Sequence, residues 1–74
     1  MNPIRIKLAE ELRATLARQE KSGAWLAKMT GISSTAMNNK LKGRVSFTLE
    51  EIIDISSVIG TTAADLVQKV EGSR

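Results

Sequence analysis

Glycine recurs at positions 23, 31, 43 and 60 of this chain, and between those positions apolar residues return at helical spacing without sustained alternation. Glycine is a poor interior residue for a helix and a common one just past its end. The punctuation therefore points to short helices with short links, and the missing alternation argues against strands. Ile4, Leu8, Leu12 and Leu16 recur every four residues with Ala9 beside them, which predicts one buried stripe on a first helix over about residues 3–20. Asn2 can cap its free amides, Pro3 has no amide to leave unpaired, and Ser22-Gly23 interrupts it.

The remaining segments obey the same logic. A second helix runs from Gly23 to Met29 or Thr30 with Leu26 and Ala27 inward, and Gly31 stops it. Ser33 caps a third over about 34–42, held by Met37 and Leu41, before Gly43. Thr48 and Glu51 have the spacing of a capping box, and Phe47 is placed to staple onto Ile52. The fourth helix puts Ile52, Ile55, Ser56 and Ile59 on one face, with Ile53 and Val58 flanking. Gly60 ends it, and Thr61 or Thr62 caps a fifth carrying Leu66, Val67 and Val70. The expected fold is all-α: five helices around one core, with residues 1–71 forming a single domain and 72–74 a frayed tail.

Composition narrows the function. The 74 residues include no cysteine and no histidine, which excludes from them a cysteine- or histidine-ligated zinc site, a thiol nucleophile and a histidine base. No apolar run approaches the roughly 20 residues of a membrane span. No apolar stretch comes after the basic residues of the first seven, as a signal peptide would require. The expectation is a cytoplasmic domain, more a binder than a catalyst. Its net charge of +3 is unevenly spread. Arg5, Lys7, Arg13, Arg18, Lys21, Lys28, Lys40, Lys42 and Arg44 face only Glu10, Glu11 and Glu20 in the first 47 residues. Lys69 and Arg74 face Glu50, Glu51, Asp54, Asp65 and Glu71 in the rest. Such an asymmetry either turns one end toward a polyanion or merely keeps the surface solvated.

The segment from Gly23 to Gly43 is the most informative. Two short helices joined at Gly31 must cross steeply; Ala27 suits their closest approach, Ile32 plugs the turn and Ser33 caps the next helix. Leu26-Ala27, Gly31-Ile32-Ser33, Gly43, Phe47-Thr48-Leu49-Glu50-Glu51 and the run from Gly60 to Leu66 together resemble the lambda-repressor-like superfamily, the Cro and repressor type of phage and bacterial regulators. The resemblance spans nearly the whole chain. It implies a helix-turn-helix formed by the second and third helices, double-stranded operator DNA as partner, and two-fold pairing on DNA. It implies no cofactor. Two positions depart from the family pattern: Gly23 stands where glutamine is usual, and Lys40 where the family has an apolar anchor, a role that falls to Leu41 with the lysine stem lying along the surface.

With Met37 and Leu41 inward, Thr35, Asn38, Asn39 and Lys42 form an outward stripe, with Ser34 beside its start. Short polar side chains suit a major groove, where asparagine can pair with adenine and serine or threonine with several base edges. The same stripe alone would read as an ordinary solvated face. Joined to the motif, Ser34, Thr35, Asn38 and Asn39 are the candidate base readers. Lys40, Lys42 and Arg44 are candidate phosphate contacts, with Lys28, Ser22 and the free amides of the second helix beside them. Arg13, Arg18 and Lys21 read as a solvated face with Glu10 and Glu20 nearby, although the resemblance implies that this region sometimes lies near DNA. Met29 and Met37 read as core fillers, and Trp25 as packing against either the first helix or a DNA backbone. An enzyme is disfavoured, since nothing in so short a chain would bury a Ser–Lys or carboxylate pair. The stronger rival is an antitoxin-like or adaptor module with an apolar patch of Val58, Leu66, Val67 and Val70. Val67 and Val70 are also the candidate contact of a homodimer.

Overall fold

The computed structural model describes residues 4–72. Five helices succeed one another: α1 (Ile4–Arg18), α2 (Gly23–Thr30), α3 (Ser34–Leu41), α4 (Leu49–Ile59) and α5 (Ala63–Gly72). The fold is all-α, with no strand among the described residues. The helices start where local chemistry can satisfy their free amides. Ser22 Oγ accepts from the Trp25 N–H at 3.0 Å, Ser33 Oγ from Ala36 at 3.2 Å, and Thr62 Oγ1 from Asp65 at 3.1 Å. At α4 the capping box is complete: Thr48 Oγ1 accepts from the Glu51 N–H at 3.1 Å and Glu51 Oε1 from the Thr48 N–H at 2.8 Å. Each cap stabilises its helix by about 1 kcal/mol.

One aliphatic core joins all five helices. Leu8, Leu12 and Leu16 of α1 meet Leu26, Met37, Leu41, Phe47, Ile55, Ile59, Leu66 and Val70, with Trp25, Ile32 and Ile52 half-buried against them. α2 packs on α3 and α4, and α1 on α3 and α5. Gly31 sits at the α2–α3 turn with φ +76°, and its N–H closes α2 on the Ala27 carbonyl. Ala27 is buried where the expected crossing needs a small residue.

Several expectations change in detail. α1 ends at Arg18, and Glu20 takes a left-handed φ of 55°, which turns the chain toward α2. Ile4 is 60% exposed, so the buried stripe of α1 begins at Leu8. Met29 is 54% exposed and is no core filler, since Leu26 and Ala27 are the α2 residues that the core buries. The apolar patch of Val58, Leu66, Val67 and Val70 does not exist as a surface. Leu66 and Val70 are buried in the core, Val58 packs against it, and only Val67 is exposed. α5 continues to Gly72, the first residue of the expected tail, while Asn2, Pro3, Ser73 and Arg74 lie outside the described residues.

Candidate nucleic-acid interface

α3 presents two faces of opposite character. Met37 and Leu41 are buried, while Ser34, Thr35 and Asn38 are exposed and Asn39 half-exposed. Among the described residues, no hydrogen bond engages the side chains of Ser34, Thr35 or Asn38, so their donors and acceptors face water. Asn39 Oδ1 accepts from Arg44 at 3.5 Å. An open trough of about 470 Å³ runs between the N-terminus of α2 and α3, lined by Gly23, Ala24, Ser34, Thr35, Asn38 and Leu41. Gly23 explains its shape. A Cβ there would stand 2.9 Å from Leu41 Cδ1, the tip of a flexible side chain, so a larger residue at this position requires Leu41 to shift.

The chain leaves α3 by a tight reversal. Gly43, with φ +79°, donates to the Lys40 carbonyl, and the Arg44 N–H returns to the Asn39 carbonyl, each at 3.0 Å. This pair of hydrogen bonds caps the helix and turns Arg44 back beside Asn39. Lys42 and Arg44 are both exposed at this end. Two α1 arginines cover the same carbonyl-rich terminus: Arg13 donates to the Leu41 carbonyl, and Arg5 Nε to the Gly43 carbonyl at 3.1 Å. Cations there offset the negative end of the helix dipole, which would otherwise oppose a phosphate.

Lys40 does not belong with the exposed phosphate candidates. It is only 9% exposed, and its Nζ donates to Glu51 Oε1 at 2.6 Å and to the Ser46 carbonyl at 3.4 Å. The ammonium also lies 5.9 Å from the Phe47 ring centre. Its stem fills the core edge instead of lying along the surface, and its charge is engaged by α4. Burial alone would push the Glu51 carboxyl up. The Lys40 ammonium and the hydrogen bonds with Thr48 outweigh that and hold it below the usual glutamate range.

The other candidates separate in space. Ser22 is exposed at the α2 N-terminus, where its oxygen already accepts from Trp25 and its hydroxyl proton remains free to donate. Lys28 lies in the last turn of α2, outside the trough beside α3. Trp25 is half-buried against the core with Lys21 Nζ 5.0 Å from its ring centre, which favours the packing role. Arg18 pairs with Glu11 at 3.2 Å on another side of α1. Sequence reasoning missed Arg5 and Arg13. The signal for Arg13 was its position off the buried α1 stripe, but its partner is 28 residues away.

A helix-turn-helix with a polar outer face and cations at its exit defines a small DNA-binding domain of the regulatory type. The chain belongs to the BetR domain family, which matches residues 3–73 and is a family of small helical DNA-binding domains. No curated protein and no solved structure matches it. Among the described residues, no helix is long and apolar enough to cross a membrane.

Proposed function

We propose that this chain is a sequence-specific transcriptional regulator of the phage Cro and repressor kind, placing α3 in the major groove of an operator. The observation that carries this reading is the outer face of α3. Ser34, Thr35 and Asn38 offer uncommitted donors and acceptors, and Asn39 stands beside them next to Arg44. Lys42, Arg44 and the α2 N-terminus with Ser22 supply phosphate contacts, which add affinity but little sequence information. Repression is steric: an occupied operator blocks polymerase or a competing regulator in the bacterial cytoplasm. The protein acts by binding and not by catalysis, because shallow troughs open to water cannot desolvate a carboxylate pair.

Two copies occupy the operator as a homodimer, since one helix-turn-helix spans only a half-site. An apolar face supports this pairing. Ile4, Leu49, Ile53 and Val67 are exposed, and Ile4, Ile52 and Val67 line a mostly apolar trough of about 160 Å³ with Leu8 and Val70. The same face supports a second reading, an antitoxin-like or adaptor module that holds a partner protein. Sedimentation with and without operator separates them. Two chains per operator fit the regulator, and one chain on a non-symmetric site removes the dimer.

Selection of bound sites from a random DNA pool tests the function directly. Asn38→Ala, Asn39→Ala and Thr35→Ala should each keep the melting temperature and the affinity for random DNA. Preference for the selected operator should fall by about 1–3 kcal/mol for each lost base contact. If all three discriminate as well as the parent, α3 is not the reader.

A further inference from the structure

Among the described residues, one hydrogen bond crosses directly from α3 to α4: Lys40 Nζ donates to Glu51 Oε1 at 2.6 Å. The extensive packing of α3 is on α1 and α2. The carboxylate that receives the bond is itself fixed, since the same oxygen accepts from the Thr48 N–H as half of the α4 capping box. The ammonium is enclosed as well, with the Ser46 carbonyl at 3.4 Å and the Phe47 ring nearby. A residue of α3 is thus tied to the head of α4 and to the link between the two helices.

Replacing such a pair by two well-packed neutral side chains is often near neutral for stability, although removing one partner alone is costly. What the pair adds is direction. Met37 and Leu41, the other buried residues of α3, belong to the aliphatic core. Apolar contact is non-directional, so it holds a helix in place without fixing its rotation closely. A hydrogen bond to an immobile carboxylate weakens as soon as its angle is lost. Successive side chains on a helix are about 100° apart, so the rotation that puts Lys40 against Glu51 also sets where Asn38 and Asn39 point. Long cations such as Lys42 and Arg44 can follow a phosphate through a small rotation of the helix. A short asparagine cannot follow a base edge in the same way.

We infer that Lys40 and Glu51 are positioning residues for DNA reading: their bond sets the rotation of α3 against α4 and so aims Asn38 and Asn39 at the base edges. Neither residue touches the duplex. The inference rests on the reading of α3 as the helix in the groove, and it separates sequence preference from general affinity within that helix.

The test is the double variant Lys40→Met with Glu51→Gln. It removes one charge of each sign, so net charge is unchanged, and glutamine retains the acceptor of the capping box. Its melting temperature should stay close to the parent's, and its affinity for a random duplex and the salt dependence of that affinity should be unchanged. Its preference for the selected operator should fall about tenfold, within the range of one lost base contact. Should the double variant not fold, Glu51→Gln alone carries the same test when read below its own melting temperature, because a neutral amide holds the ammonium less firmly. A variant that prefers the operator as strongly as the parent does would overturn the positioning role while leaving base reading by α3 intact. Equal losses on operator and random duplex that track melting temperature would overturn it too, since a merely structural pair behaves that way. A parent chain with no preference for any site would overturn the reading by α3 itself and this inference with it.

Discussion

The α2–α3 face and the face formed by α4, α5 and the start of α1 solve opposite problems. On the first, the exposed side chains of α3 are polar or cationic and its apolar ones, Met37 and Leu41, are buried, with Met29 of α2 and Val45 after Arg44 as the exposed apolar residues nearby. On the second, Leu49, Ile53, Val67 and Ile4 remain exposed, with Glu50, Asp54 and Asp65 exposed on the same two helices, α4 and α5. A surface that reads DNA must keep its donors free, whereas apolar exposure has value only if something covers it. Lys40 marks the border between them. Two residues before the exposed Lys42, it turns inward and gives its charge to Glu51 at the head of α4. Position along α3 thus decides whether a lysine serves the surface or the fold.

The sharpest way to break this division is at the border. Glu51→Ala leaves Lys40 buried without its carboxylate and removes half of the capping box. The expected loss is about 2–4 kcal/mol, seen as a lower melting temperature. Its pH dependence carries a sign. The Glu51 carboxyl titrates lower in the folded chain than in the unfolded one, so the pair's stabilisation is complete at neutral pH. That stabilisation fades as pH falls through the acid range, below about 4. Glu51→Gln should flatten the stability profile in that range. A parent and variant that lose stability in parallel on acidification would show that the pair contributes nothing.

The next effect is at the turn between α2 and α3. Gly31 has φ +76°, and a Cβ added there would meet nothing within 4 Å, so crowding is not the obstacle to a side chain. Gly31→Val should still cost about 1–2 kcal/mol, because a β-branched residue is strained in that backbone region. A variant as stable as the parent would remove the strain argument.

Smaller changes test the two surfaces against each other. Lys42→Ala and Arg44→Ala should each weaken operator and random DNA alike and make the salt slope shallower by about 0.9, with little change in melting temperature. Ile53→Ser should do the reverse, leaving DNA contacts of a single chain intact while shifting sedimentation on operator from two chains toward one. Its effect on stability should be within about 0.5 kcal/mol, as at most exposed positions. If Ile53→Ser leaves the two-chain complex unchanged, the apolar face is not the dimer contact.

Much of the fold was legible because its signals are local. Ser22, Ser33, Thr48 and Thr62 each meet an amide three residues on, and Gly31, Gly43 and Gly60 each take positive φ where a helix must end. Those interactions lie within one turn of the chain, so spacing alone determines them, and five helices around an aliphatic core are the result. The outward face of α3 was legible for the same reason, since burying Met37 and Leu41 leaves Thr35 and Asn38 outside. Only the tertiary structure decided the fate of the charges. Arg5 finds Gly43 from 38 residues away, Arg13 finds Leu41 from 28, and Lys40 meets Glu51 across 11. A long cationic side chain reaches several ångströms in any direction and carries no periodicity of its own. Whether it stays in water, caps a helix or enters the core depends on which carbonyl or carboxylate the packing brings within reach.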